Sequence, residues 1–378
     1  MYPTRRELLA TATAAAAASL AGCVGDSDAI GPYEPDSGSE DVAVEPMTAS
    51  PDETAIDETA LPIADDQLPV SYSLETLREE VLDGGVPQDG IPSIDDPAFE
   101  PVADADDRFR EDDPVFGVLR DGEARAYPQS ILVHHEIVND EIGGEPLVVT
   151  YCPLTGTAMG FERGGVEFGV SGNLVNSNLI MYDREDESLW PQMLGTAIDG
   201  PLEAASLREF PVHWSTWNDW RETYPDSTVL TEDTGYVRDY DDDPYGMYNP
   251  VSGYYREDSD PIFEPLRSDD DEPPKRMVLG ARPPEGPLSI DHETLAAERL
   301  LEIDHEDATL LAVHDRSIDV GHLYRNPDAE AFELEDDRLV DADGESYAPD
   351  EAPLERVYAY DAMWFAWAGF YPDGVHFG

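Results

Sequence analysis

Apolar and polar positions alternate in short blocks from about residue 110 onward, and turn residues separate the blocks. Phe116-Gly-Val-Leu, Asp121-Gly122 and Ala124-Arg-Ala-Tyr127 read as a hairpin around an Asp-Gly turn. Pro128 then stands at a helix N1 position, and Ile131, Leu132, His135 and Val138 fall on one helical face that Gly143-Gly144 ends. Leu147 to Tyr151 is a short buried strand. Ala158 to Arg163 and Val166 to Val170 flank Gly164-Gly165 as a second hairpin, Leu179 to Tyr182 is one more strand, and Trp217 to Tyr224 is a closing amphipathic helix.

The same order returns later in the chain. Val115-Phe116-Gly117 lies on Val278-Leu279-Gly280 at an offset of 163, and Trp217 to Asp226 lies on Trp364 to Asp373 at an offset of 147 through W-x-x-W-x-x-x-Y-P-D. Hairpins with helices between them predict an α+β fold of two tandem, pseudo-twofold-related repeats, each hairpin-helix-strands-helix, sharing one core. The expected organisation is a signal over 1–23, a disordered acidic tether over 24–70 and an N-terminal extension over 71–109 packing on the core. A first repeat over 110–230 follows, then an acidic Tyr/Pro-rich insertion over 231–276 and a second, degenerate repeat over 277–378.

Composition locates the protein without naming its task. The 378 residues carry 84 acidic and 22 basic side chains, a formal charge of -62, and Lys275 is the single lysine. Such a surface excludes nucleic acid as a partner. It fits a salt-in halophile, where a Debye length of about 3 Å in molar salt screens self-repulsion. Thr4-Arg5-Arg6-Glu7-Leu8-Leu9, an alanine-rich run and Leu20-Ala21-Gly22-Cys23 combine a twin-arginine signal (Arg5, Arg6) with a lipobox. The expectation is a monomeric lipoprotein, lipidated at Cys23 and held outside the cytoplasmic membrane by its lipid. Only Cys152 then remains as a thiol, so an intramolecular disulfide is excluded.

Comparing the two aligned stretches singles out chemistry. His135 falls on Glu298 and Cys152 on Asp315, so at these two positions only the first stretch carries imidazole and thiol. Two uses are open. A soft metal such as copper would favour Cys152 with His135 and Met159. Alternatively, Cys152 is a nucleophile with His135 as its base and Glu136 or Asn139 orienting the ring. Thr155, Asn173, Asn176, Asp183, Ser188, Trp190 and Gln192 lie in or beside the stretch that the second copy shortens and are candidates for a polar ligand pocket. Arg238-Asp239-Tyr240 with Pro244-Tyr245-Gly246-Met247-Tyr248 is a candidate lid. The remaining reading is a non-catalytic module that binds a ligand or partner between the repeats. No phosphate loop, G-x-S-x-G elbow, dinucleotide fingerprint or H-x-x-x-H pattern is present.

Tyr127-Pro128, His135-Glu136-Ile137-Val138-Asn139-Asp140, Thr150-Tyr151-Cys152-Pro153-Leu154-Thr155-Gly156, Asp183-Arg184, Ser188-Leu189-Trp190 and Trp364-Phe365-Ala366-Trp367 resemble the DUF3179 family over roughly residues 70–378. Family members often carry a second cysteine where Thr155 stands, so a Cys-x-x-Cys cycle is excluded in this chain. The resemblance implies the boundaries and the site, and no reaction.

Overall fold

The computed structural model describes residues 41–378 except 106, 107, 270 and 307. Arg5, Arg6 and Cys23 lie outside the described residues. Residues 41–70, read from composition as tether, lie against the body: Met47 N–H donates to Val70 C=O at 3.0 Å and Ala64 N–H to Ser206 C=O at 2.8 Å, while Leu61 and Val70 are buried. Their scattered apolar positions suffice to dock a segment too polar to fold alone.

The expected α+β class is corrected. Of the described residues, 38% are strand and 12% helix, arranged in several small sheets. The shared single core is corrected too, since the buried apolar side chains fall into five clusters.

Local departures explain the class. Strands β1 (Pro114–Arg120) and β2 (Glu123–Pro128) form the hairpin, with Asp121 and Gly122 both at positive φ as a type I′ turn requires. Helix α1 (Gln129–Leu132) is a single turn with no side-chain cap. The chain then enters β3 (Ile137–Ile142), which pairs with β4 (Glu145–Cys152), and Gly143-Gly144 is their hairpin turn, not a helix stop. β5 (Thr157–Glu162) pairs with β4, whereas β6 (Phe168–Val175) pairs with β7 (Asn178–Asp183), so Gly164-Gly165 joins two sheets and makes no hairpin. The β3–β5 sheet is covered on both faces. Ile137, Val148, Cys152 and Met159 face one apolar cluster, and Val138, Val149, Tyr151 and Ala158 face another. A strand buried on both sides shows no alternation, and its apolar positions imitate a helix stripe.

The two aligned stretches nevertheless share local connections. β8 (His213–Thr216) pairs antiparallel with β1, leads into α2 (Trp217–Thr223) and continues to β9 (Thr228–Leu230), parallel to β2. In the second stretch β10 (Met277–Ala281) and β11 (Leu288–Asp291) pair, α3 (His292–Glu298) follows, and β12 (Leu300–His305), β13 (Ala308–Asp315) and β14 (Val320–Arg325) form a meander. β15 (Ala359–Met363) pairs with β10 and leads through α4 (Trp364–Phe370) to β16 (Val375–Phe377), parallel to β11. The shared tryptophans have a steric reason. Trp220 lies flat where Gly117 has no Cβ and Trp367 does the same at Gly280, so a β carbon at either glycine would overlap the indole.

Candidate functional site

The site forms where α1 gives way to β3. Glu136 N–H closes the turn on Leu132 C=O at 2.7 Å, its φ is +59°, and its carbonyl accepts from Tyr151 N–H at 2.8 Å. This anchors Glu136 beside the end of β4, where Cys152 pairs with Thr157 of β5. Cys152 is 1% exposed. Its sulfur accepts from Leu179 N–H at 3.4 Å and its thiol donates to Ser177 C=O at 3.7 Å. Burial, with the charge of Glu136 second, pushes this thiol up to about 11, which leaves it protonated near neutrality.

Glu136 is 7% exposed, and among the described residues no hydrogen bond or ion pair reaches its carboxyl group. Burial alone raises its pKa to about 8. Tyr245 is the third member: its pKa is raised by burial, then by Glu136 and Cys152, so its ring stands within electrostatic reach of both. Its hydroxyl also has no hydrogen-bond partner among the described residues.

Residues 231–276 close over this place. Tyr254 O–H donates to Leu154 C=O at 2.7 Å, the Tyr248 and Tyr151 hydroxyls meet at 3.0 Å, and Asp243 accepts from Gln129 at 2.8 Å and from Tyr255 at 3.0 Å. Lys275 Nζ lies 3.0 Å from the Tyr254 ring centroid. Burial lowers Lys275 to about 6.

His135 serves this cover and not the thiol. Its Nδ1–H donates to Pro92 C=O at 2.7 Å, which fixes the tautomer, and Nε2 accepts from the Tyr240 hydroxyl at 2.8 Å. With both ring nitrogens engaged, neither is left for Cys152, and burial lowers the ring to about 4. His134 binds Asp242 C=O at 3.0 Å on the same cover. The copper set expected from sequence is therefore not assembled. Met159 is buried in the apolar cluster that holds Cys152, and among the described residues no group of three or more His, Cys, Asp or Glu side chains is placed to hold a metal ion.

The expected polar pocket is instead an internal hydrogen-bond network. Asn178 donates to Thr155 Oγ1 at 3.2 Å and to Gln192 at 2.9 Å, and Gln192 donates to Thr150 at 2.9 Å. Asn176 donates to Ala366 C=O and accepts from Leu266 N–H. Asp183 accepts from Trp190 Nε1–H and Ser188 N–H, and Ser188 Oγ accepts from Leu202 N–H. Asn173 pairs with Asp83 at a strand edge. Asn173 apart, these side chains spend their hydrogen bonds on the fold, as buried polar groups require.

What residue reasoning missed is the charge reversal at Glu136. The offset of 163 places it on Arg299, which also has positive φ, at +66°. Tyr245 comes from more than 90 residues away, and only its segment was marked as a cover.

No curated protein and no solved structure matches this sequence. Residues 88–374 match the profile of DUF3179, described as a protein of unknown function, and the chain belongs to that family.

Proposed function

We propose that this chain is a lipid-anchored protein of the outer face of the cytoplasmic membrane in a salt-rich environment, and that it binds a small polar ligand at Glu136, Cys152 and Tyr245 beneath residues 231–276. The anchoring rests on Arg5-Arg6 followed by Cys23. No helix among the described residues is long and apolar enough to cross a membrane. One observation carries the binding reading: the carboxyl group of a largely buried residue, 7% exposed, that no hydrogen bond or ion pair meets among the described residues. Such a group costs stability, and a ligand supplies the hydrogen bonds that the fold withholds. The cysteine-enzyme reading with His135 as base is disfavoured, because the imidazole is committed to Tyr240 and the thiol is held protonated.

Thermal melting in molar KCl tests the reading. Glu136→Leu should raise Tm by about 3 °C or more, since it removes an unpaired buried acid. A fall in Tm would mean that Glu136 holds the fold together, and the reading would be lost.

A further inference from the structure

The two aligned stretches meet at a pair of imidazoles. His213 opens β8 of the first, His322 stands in β14 of the second, and their ring centroids lie 5.7 Å apart. Both residues are buried, at 3% and 1% exposure. Side chains alternate along β14, so His322 and Tyr324 share one face, and Arg356, opposite Tyr324 on the neighbouring strand Glu355–Val357, joins them there. Arg356 Nη2–H donates to His322 Nδ1 at 2.8 Å. A guanidinium group only donates, so Nδ1 is the bare nitrogen and the proton sits on Nε2, which is buried and without a partner among the described residues. No hydrogen bond reaches the His213 ring among the described residues.

This geometry holds His322 neutral. A proton on Nδ1 would point at the Arg356 N–H, so the imidazolium forms only once Arg356 has left, and then beside a second imidazole. From β13, His314 lies on the opposite face and is held by Asp319 at 2.8 Å, and Asp315 accepts from Ser317 N–H and O–H. Asp350, raised by burial, and Tyr224, pushed up to about 12 by burial, complete the titrating groups around the joint. Among the described residues neither Asp315 nor Asp350 forms an ion pair with Arg356 or with either ring. The seam has a matched contact that lacks these groups. His213 opposes Gly117 as Tyr360 opposes Gly280, and His322 opposes Val313 as Met159 opposes Thr150. Met159 and Tyr360 share one apolar cluster, and Met363 N–H at the end of β15 donates to Thr155 C=O, just before β5, at 2.9 Å.

We infer that His213, His322 and Arg356 form an acid-released latch at one end of the seam: it joins the two stretches near neutral pH and lets that end open as pH falls, while the Met159 and Tyr360 end stays shut. Burial, and then the Arg356 charge, hold both rings well below the ordinary histidine range, His213 at about 3. The closed latch therefore stays neutral where the open one takes up protons at the ordinary value of about 6.5. Its contribution is fully present above about 6.5 and is lost as pH falls toward about 3. At pH 5 each ring shifts the closed-to-open ratio by about 30-fold, and the two together by up to about a thousandfold.

The test is hydrogen exchange read by mass spectrometry on the full chain in molar KCl at pH 8 and pH 5, corrected for the intrinsic pH dependence of exchange. Between the two, protection of His213–Thr216 and Val320–Arg325 should fall by about 30-fold or more relative to Thr157–Glu162 and Ala359–Met363. A double variant, His213→Phe with His322→Phe, should keep that relative change within a few-fold. Equal loss at the two ends of the wild type, or an undiminished loss in the double variant, overturns the latch. Should the double variant not fold, nitrogen NMR of the wild type labelled at histidine decides the same point. His322 Nδ1 should stay unprotonated for as long as the joint is protected from exchange, and a proton on it in the protected state overturns the latch.

Discussion

At the junction between short helix and following strand, the two aligned stretches carry the same backbone and opposite charges. Glu136 and Arg299 both have positive φ, and their carbonyls accept from Tyr151 N–H at 2.8 Å and His314 N–H at 2.9 Å. The left-handed backbone at Glu136 is therefore a property of this connection, and by itself says nothing of function. The side chains separate the regions. Arg299 reaches Asp337, His314 reaches Asp319 at 2.8 Å, and His292 reaches Asp361 at 2.6 Å, whereas the Glu136 carboxyl group reaches no partner among the described residues. The difference lies in ionic partners alone: Arg299 has Asp337, although its Nε and Nη2 make no hydrogen bond, while the Glu136 carboxyl group has no ionic partner among the described residues. The comparison teaches where to look: at unequal satisfaction, not at unusual geometry.

The largest expected effect is the pH dependence that this inequality creates. Glu136 has a folded pKa of about 8 against an ordinary 4.5, so the folded state keeps a proton that the unfolded chain gives up. Its contribution is fully present below about 4.5, is lost as pH rises toward 8, and is flat beyond. Across pH 5 to 8 the loss is of the order of 2–4 kcal/mol. Urea denaturation in molar KCl should therefore give a stability gap between Glu136→Leu and wild type that widens over that interval. Arg299→Leu, compared with wild type in the same way, is the control from the other region. A gap for Glu136→Leu that does not change with pH would mean that the acid is not buried alone, and the contrast between the regions would collapse.

The next effect concerns what the regions share. Adding a β carbon at Gly117 drives it into Trp220, and at Gly280 into Trp367, so Gly117→Ala and Gly280→Ala should each cost about 1–3 kcal/mol in the same denaturation experiment. Similar losses identify the glycine–tryptophan contact as a common structural lock. A neutral result at one of them would confine that lock to the other region.

Those contacts were partly legible in the residues, because the two W-x-x-W motifs and the aligned glycines could be read off directly. The β3 strand was not. Ile137, Val138 and Ile142 are buried on opposite faces of a sheet packed between two clusters, and period alone cannot tell this from a helix. The sequence singles out Cys152, His135 and Glu136 together, but the structure turns His135 away from the thiol and leaves Glu136 beside it. A left-handed residue redirects the chain, so adjacent side chains at 135 and 136 serve different neighbours: the cover through Tyr240, and the place shared by Cys152 and Tyr245. Sequence adjacency carries no information about that turn of direction. Tyr245 was out of reach for a plainer reason, since nothing in local pattern pairs a residue of an acidic segment with a strand end so far upstream.

The smallest effect separates backbone from side chain at the matched junctions. A non-glycine residue in the left-handed region costs about 1–2 kcal/mol, and glycine relieves it while adding unfolded-state entropy, so the backbone gain at either position is about 1 kcal/mol or less. Arg299→Gly also gives up an ion pair whose partner Asp337 is 60% exposed, worth a few tenths of a kcal/mol to about 1, which leaves a net change near zero. Glu136→Gly surrenders no partner and sheds a buried acid, so it should stabilise at pH 8. At pH 5, where the folded acid is protonated and most of its pH-dependent cost is absent, that difference between the two glycine variants should shrink toward the loss of the Arg299 pair alone. Paired melts of the two variants at pH 5 and pH 8 therefore read the electrostatic inequality with the backbone held constant, and an unchanged difference between the two pH values would assign the effect to local packing.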